Sequence, residues 1–214
     1  ILLCVPLLFS CGSNVEEKKI EKVDVITDIL TVYKDAEIVT KEHMTYLKSD
    51  MSPISGVVYT FNSTNDTVIK TYYRDGDRYR SKIYFEGTKQ LQFDTYIKNN
   101  MLDGIYRKWY ENGQLEVDAT FKQSSLHNVY SEWYENGNKK TIRHWKNGNL
   151  DGQSIEYYEN GQIAEVGMWI NNNLDGIYEV YYENGKLKEK YGFKEGKEVY
   201  SDCWDEEGNE IECE

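Results

Sequence analysis

The tetrapeptide Tyr-Glu-Asn-Gly begins at residues 110, 134, 158 and 182, so each copy starts 24 residues after the last. A second string, Leu-Asp-Gly, ends at Gly104, Gly152 and Gly176, with Leu126-His127-Asn128 in the place between. Two strings in register at one period of this length mark an array. Its unit is a single supersecondary element whose copies bury a core only by stacking on one another.

The unit itself is readable. An aromatic-rich run precedes each Asn-Gly, as in 105–110 and 177–182, and a second extended run follows it, as in 115–121. Asn-Gly between two β-prone runs is a hairpin signal, because a type I′ turn needs positive φ at both central residues. The turn formers are therefore Asn112 and Gly113, Asn136 and Gly137, Asn160 and Gly161, and Asn184 and Gly185. A second polar turn, such as 146–149, links each hairpin to the next. The expected fold is all-β: an antiparallel β-hairpin meander of about 24-residue repeats, drawn out into an elongated, twisted single sheet. The period weakens at both ends. Residues 56–76 read as a first imperfect unit, 84–104 as a second with a small insertion after its turn, and 204–209 as one more turn.

Charge narrows the function. The 214 residues carry 25 Lys+Arg against 37 Asp+Glu, a net charge of −12, which opposes sequence-independent nucleic-acid binding and attraction to anionic lipid. Three histidines and four cysteines leave little material for catalytic or zinc constellations. His127 and His144 have no partners at ligand spacing, and Asp103, Asp151 and Asp175 precede Gly or sit in turns, where Asp favours turn geometry. No catalytic residue, metal or cofactor is expected, and the chain is read as a non-enzyme.

Residues 1–9 are almost wholly apolar and are followed by Ser10-Cys11-Gly12. Nine such residues are too short to span a bilayer as a helix but fit the apolar part of an export signal. Leu8-Phe9-Ser10-Cys11 is similar to a bacterial lipobox, which makes Cys11 the lipid acceptor and the mature N-terminus, with Cys4 discarded. The expected organisation is a signal over 1–11, a polar tether over 12–22, an N-terminal cap over 23–55, the repeat array over 56–199 and an acidic capping hairpin over 200–214. The protein is expected to be exported and anchored in the cell envelope.

The C-terminal residues 195–214 hold nine acidic residues and one Lys, and so supply −8 of the net charge. Cys203 and Cys213 flank the turn there. A three-residue loop over 207–209 would set the two thiols directly opposite each other, and in an exported protein they are expected to form a disulfide.

Alternation along a strand puts Tyr106, Tyr130 and Tyr178 on one face with Tyr110, Tyr134, Tyr158 and Tyr182, and Trp109 and Trp133 on the other. These aromatics are the candidate binding surface, since Tyr and Trp give large contact area at low entropic cost. The same rings would stack on sugars, so a glycan is the alternative ligand. A purely structural envelope spacer is a third reading. The pattern of aromatic pair, Glu-Asn-Gly, Leu or Ile after the turn, and Leu-Asp-Gly resembles the bacterial variant of the MORN repeat. That resemblance implies a non-enzymatic hairpin scaffold with no catalytic residues to transfer. Members of the family are often described as YwqK-type antitoxins, and many as lipoproteins. An unidentified protein partner, a toxin or another envelope component, is the expectation that follows.

Overall fold

A computed structural model of the chain describes residues 23–25, 28–34 and 37–213. The expected signal, tether and lipid acceptor Cys11 lie outside the described residues.

The core of the molecule is one open sheet of 16 strands, with β3 and β4 forming a separate pair. At its N-terminal end lie β1 (Val23–Val25), β2 (Asp28–Lys34) and, after an excursion, β5 (Gly56–Phe61). From β5 the chain runs as an unbroken meander through β6 (Thr67–Arg74), β7 (Asp77–Tyr84), β8 (Leu91–Lys98), β9 (Met101–Trp109) and β10 (Leu115–Lys122). It continues through β11 (Ser125–Trp133), β12 (Lys139–Lys146), β13 (Asn149–Tyr157), β14 (Ile163–Ile170) and β15 (Asn173–Tyr181). The last members are β16 (Leu187–Lys194), β17 (Lys197–Trp204) and the two-residue β18 (Glu210–Ile211). Every neighbouring pair from β5 onward is antiparallel and sequential, so the 24-residue unit is one two-stranded hairpin.

Two features depart from the expected simple meander. The β2–β5 pair is parallel, with Thr31 opposite Gly56 and Lys34 opposite Tyr59. A parallel pair needs a crossover, and the excursion that supplies it holds the hairpin of β3 (Ile38–Lys41) and β4 (Met44–Leu47). That hairpin is pinned to the sheet by backbone bonds: Thr45 N–H donates to the Gly76 carbonyl, Ile54 N–H to Thr45, and Gly76 N–H to Ile54. Ile54 and Thr45 are the most buried side chains described, at 0% and 1% exposure. The expected cap over 23–55 is thus two strands added to the sheet edge and one hairpin folded against it. At the other end β17 runs unbroken from Lys197 to Trp204, so the expected boundary between 199 and 200 falls inside a strand.

The turns also differ in kind from those expected. At each Tyr-Glu-Asn-Gly the Gly N–H donates to the Tyr carbonyl, Gly113 to Tyr110 and Gly161 to Tyr158 for example, and the Tyr N–H reaches the residue after Gly. Only the Gly has positive φ, 90° at Gly113 and 89° at Gly161, while the Asn does not. These are three-residue loops, a type I turn closed by a glycine in the left-handed region, rather than type I′ turns. The two-residue turns with positive φ at both positions are the links on the opposite edge: Asn99 and Asn100, Asn147 and Gly148, and Asn171 and Asn172.

Candidate binding surface

Register places the two faces. Through the pairs Thr95–Tyr106, Ala119–Tyr106, Arg143–Tyr130, Arg143–Ser154, Gly167–Ser154 and Gly167–Tyr178, one row runs along the array on what we call the tyrosine face. Most of the burial in the regular units lies here. Val117, Ala119, Thr141 and Ser154 are all below 10% exposed. The larger rings interlock around them, Tyr106 edge-on to Phe121 at 5.6 Å and Tyr178 against Phe193 at 6.4 Å. Among the described residues the regular units have no second layer to bury against, so stacked rings and short side chains serve as their core.

The four tyrosines of the tetrapeptide do something more specific. Tyr110 donates its hydroxyl hydrogen to the Trp133 carbonyl at 2.8 Å, Tyr134 to Tyr157 at 2.7 Å, Tyr158 to Tyr181 at 2.6 Å and Tyr182 to Trp204 at 2.8 Å. Each acceptor is the residue just before the corresponding tyrosine, or its replacement Asp205, in the next unit. The asparagines repeat the scheme. Asn112 Nδ2 donates to Glu135 O, Asn136 to Glu159 O and Asn160 to Glu183 O, while each Oδ1 accepts from the backbone two residues on. The conserved spacing of Tyr and Asn therefore reads as a latch that locks one turn onto the next, and these rings and hydroxyls are half-buried and committed.

Links on the far edge latch in the same way. Ser124, Gly148, Asn172 and Gly196 donate their N–H to the carbonyls of Leu102, Leu126, Leu150 and Leu174. Asp103 and Asp175 accept from Gln123 and Glu195 N–H, and His127 stands in the Asp position with Asn147 N–H approaching its Nδ1. His144 Nδ1 meets the Gln153 carbonyl. The Gly of Leu-Asp-Gly has φ between 108° and 122°, and Asn128, which replaces it, has 65°.

Charges on the tyrosine face are paired off: Lys108 with Glu116 at 2.6 Å, Lys140 with Glu132 at 2.7 Å, and Arg143 with Glu156. Burial, and then the Glu132 carboxylate beside it, push the Tyr130 hydroxyl up to about 12, and burial with Glu165 raises Tyr178.

The opposite face is different. Ile105, Val129 and Ile177 occupy one repeat position, and Met168 lies beside Gln153, the fourth occupant of that position. Their exposures are 38%, 43%, 48% and 44%, with Met168 last. At the C-terminal end of this row a Cβ on Gly192 would lie 2.1 Å from Cε1 of Tyr200, so the Tyr200 ring lies across that glycine. At about 4.8 Å per strand the row from β9 to β17 is about 40 Å long. Trp109 and Trp133, at the strand ends on this face by alternation, are half-buried. Aromatic content does not mark this row; the β-branched residue recurring at 105, 129 and 177 does.

At the C-terminus the closing loop is 206–208, since Asp205 N–H bonds Asn209 O and Gly208 N–H bonds Asp205 O. The expected loop over 207–209 is off by one. Cys203 therefore stands opposite Ile211, and Cys213 reaches it from beyond the strand end, with Cα atoms 5.3 Å apart in a disulfide.

Residues 102–123, 126–147, 150–171 and 174–195 each match the MORN repeat variant. Each match opens on the leucine whose carbonyl takes the far-edge latch and closes on the first residue of the next link turn. No curated protein matches the chain.

Proposed function

We propose that this chain is a non-enzymatic scaffold, anchored in the cell envelope through Cys11, that seats a partner protein on its aliphatic face. The observation that carries the reading is the row of Ile105, Val129, Met168 and Ile177, each more than a third exposed in a chain whose aromatic rings are largely turned to internal use. Thr120, His144 and Gln153 stand between these side chains on the same row, so the apolar residues are spaced anchor points on a mixed surface. The acidic C-terminal end of the row, with Tyr200 exposed among Glu198 and Asp202, favours a partner surface that is apolar and rimmed with Lys or Arg. A toxin or another envelope component is the partner class in view. Asp103, Glu116 and Glu132 are already used in a latch and in ion pairs, which supports a binding role over catalysis for them. The lipid anchor rests on the sequence around Cys11.

The test is a pair of double variants assayed for partner capture from the envelope fraction. Val129→Glu with Ile177→Glu should abolish capture, while Tyr106→Phe with Tyr130→Phe on the other face should leave it intact. Equal capture by all forms would refute the reading.

A further inference from the structure

One cavity lies off the regular array. It has a volume of about 440 Å³ and lies between the β5–β6 turn and the β7–β8 turn, lined among others by Asn65, Asp66, Thr67, Lys70, Tyr84 and Lys89. Its origin is a missing latch. Asn62 pairs with Asp66 across its loop as Tyr110 pairs with Gln114, so Asn62 holds the place of the latching tyrosine. Its Oδ1 accepts from Thr64 and Asp66 within its own loop, its Nδ2 reaches Glu86 at 3.4 Å, and the carbonyl of Tyr84 receives no tyrosine hydroxyl from this turn. The next turn, between Phe85 and Gln90, is also one residue longer than its counterparts. The space that a ring fills elsewhere is left open beside Tyr84.

The charges there are unlike those of the rest of the molecule. Among the described residues, the half-buried cations Arg80, Arg107, Lys108, Lys140, Arg143, Lys188 and Lys190 each have a carboxylate within 4 Å. Lys70 and Lys82 are half-buried without one, and they stand directly opposite each other across β6 and β7. Like charges in that position repel, and burial pushes Lys82 down, with Arg80 adding to it. Lys70 is held over the rings of Tyr59 and Tyr84, at 5.3 and 5.0 Å from their centroids. Lys82 also stands opposite Asp94 on β8 and does not line the cavity, so Lys70 and Lys89 are the cations that an anion there would meet.

We infer that this cavity binds a carboxylated sugar. The volume suits a single small ligand. Asp66, Lys70 and Lys89 give the lining a net charge of +1, matched to a monoanion rather than a phosphate dianion. The Tyr84 ring offers an apolar wall for the C–H face of a pyranose, and the Asn65 amide and Thr67 hydroxyl, which have no partner among the described residues, face its hydroxyls. This site stands apart from the aliphatic row and does not depend on the scaffold reading.

Titration of the full chain with glucuronate, read by amide chemical shifts, tests it. Shifts are expected in 65–70 and 84–89, with glucose binding about tenfold more weakly or worse for want of the charge-assisted contact. Lys70→Met should weaken glucuronate by a similar factor and Lys70→Arg should restore it. Shift mapping on the native chain keeps the proposal testable if Lys70→Met does not fold. Equal binding of glucose and glucuronate, shifts elsewhere, or a site that takes only inorganic phosphate or phosphatidylglycerol vesicles would overturn it.

Discussion

The Tyr134 hydroxyl donates to the Tyr157 carbonyl at 2.7 Å, from one turn to the end of the strand that leads into the next. Because Tyr158 then makes the same contact with Tyr181, the side chain that defines the repeat also sets the distance between repeats. In a quasi-one-dimensional array such nearest-neighbour contacts are the coupling that makes unfolding cooperative.

Replacing Tyr134 with Phe removes that donor while keeping the ring. The expected loss is about 1 kcal/mol, the typical net value of one neutral hydrogen bond. Urea unfolding followed by tryptophan fluorescence measures it, and the backbone amides next to Tyr157 should exchange faster.

Gly161 sits at φ 89°, where an added Cβ would meet only the amide of Asn138, at 3.6 Å or more. Space is therefore available and the backbone alone opposes a side chain. Gly161→Ala should cost about 1 kcal/mol. Gly185→Ala should cost about the same, since the Gln162 Oε1 that its Cβ would meet at 2.6 Å ends a flexible side chain that can swing aside. Thermal unfolding of the two variants compares them.

Reduction of Cys203–Cys213, which are 10 residues apart in sequence, should release the last hairpin. The chain-entropy model gives about 2–3 kcal/mol for a loop of this size. Only two residue pairs join β18 to β17, so the loss should appear as fraying of the C-terminal strands, read by hydrogen exchange with and without reductant.

Tyr130 and Tyr181 are both pushed up to about 12, first by burial and then by Glu132 and Glu179 respectively. Above the ordinary tyrosine value near 10 the unfolded chain loses these protons while the folded chain keeps them. The folded state then binds more protons, so stability falls as pH rises from about 10 to about 12 and is unaffected by these groups below that window. Unfolding free energy measured across pH 9–12 should decline in the native chain and decline less in Tyr130→Phe.

The hairpin unit and its period were legible because turn chemistry and strand alternation are local. The turn type was not. Asn-Gly suits a type I′ turn, but here Asn112 spends its side chain on Gln114 N–H and Glu135 O, and that pair of bonds holds it in the ordinary φ range with Gly113 alone left-handed. The parallel β2–β5 pair and the hairpin lying against Gly76 depend on contacts between Thr45 and Ile54, which no periodicity announces. The tyrosines look like a surface in the sequence because their spacing is visible there and their acceptors, backbone carbonyls 22 or 23 residues on, are not. Val129 and Ile177 stand exposed because no described residue covers that side of the sheet, which only the register reveals.

The most direct test of the scaffold reading compares the two faces within one repeat. A photoreactive phenylalanine analogue placed at Ile177 or at Tyr178, neighbours that point to opposite faces of β15, is irradiated in the envelope fraction. The account predicts a discrete partner adduct from position 177 and none from 178. An adduct from 178 alone, or equal adducts from both positions, would contradict it.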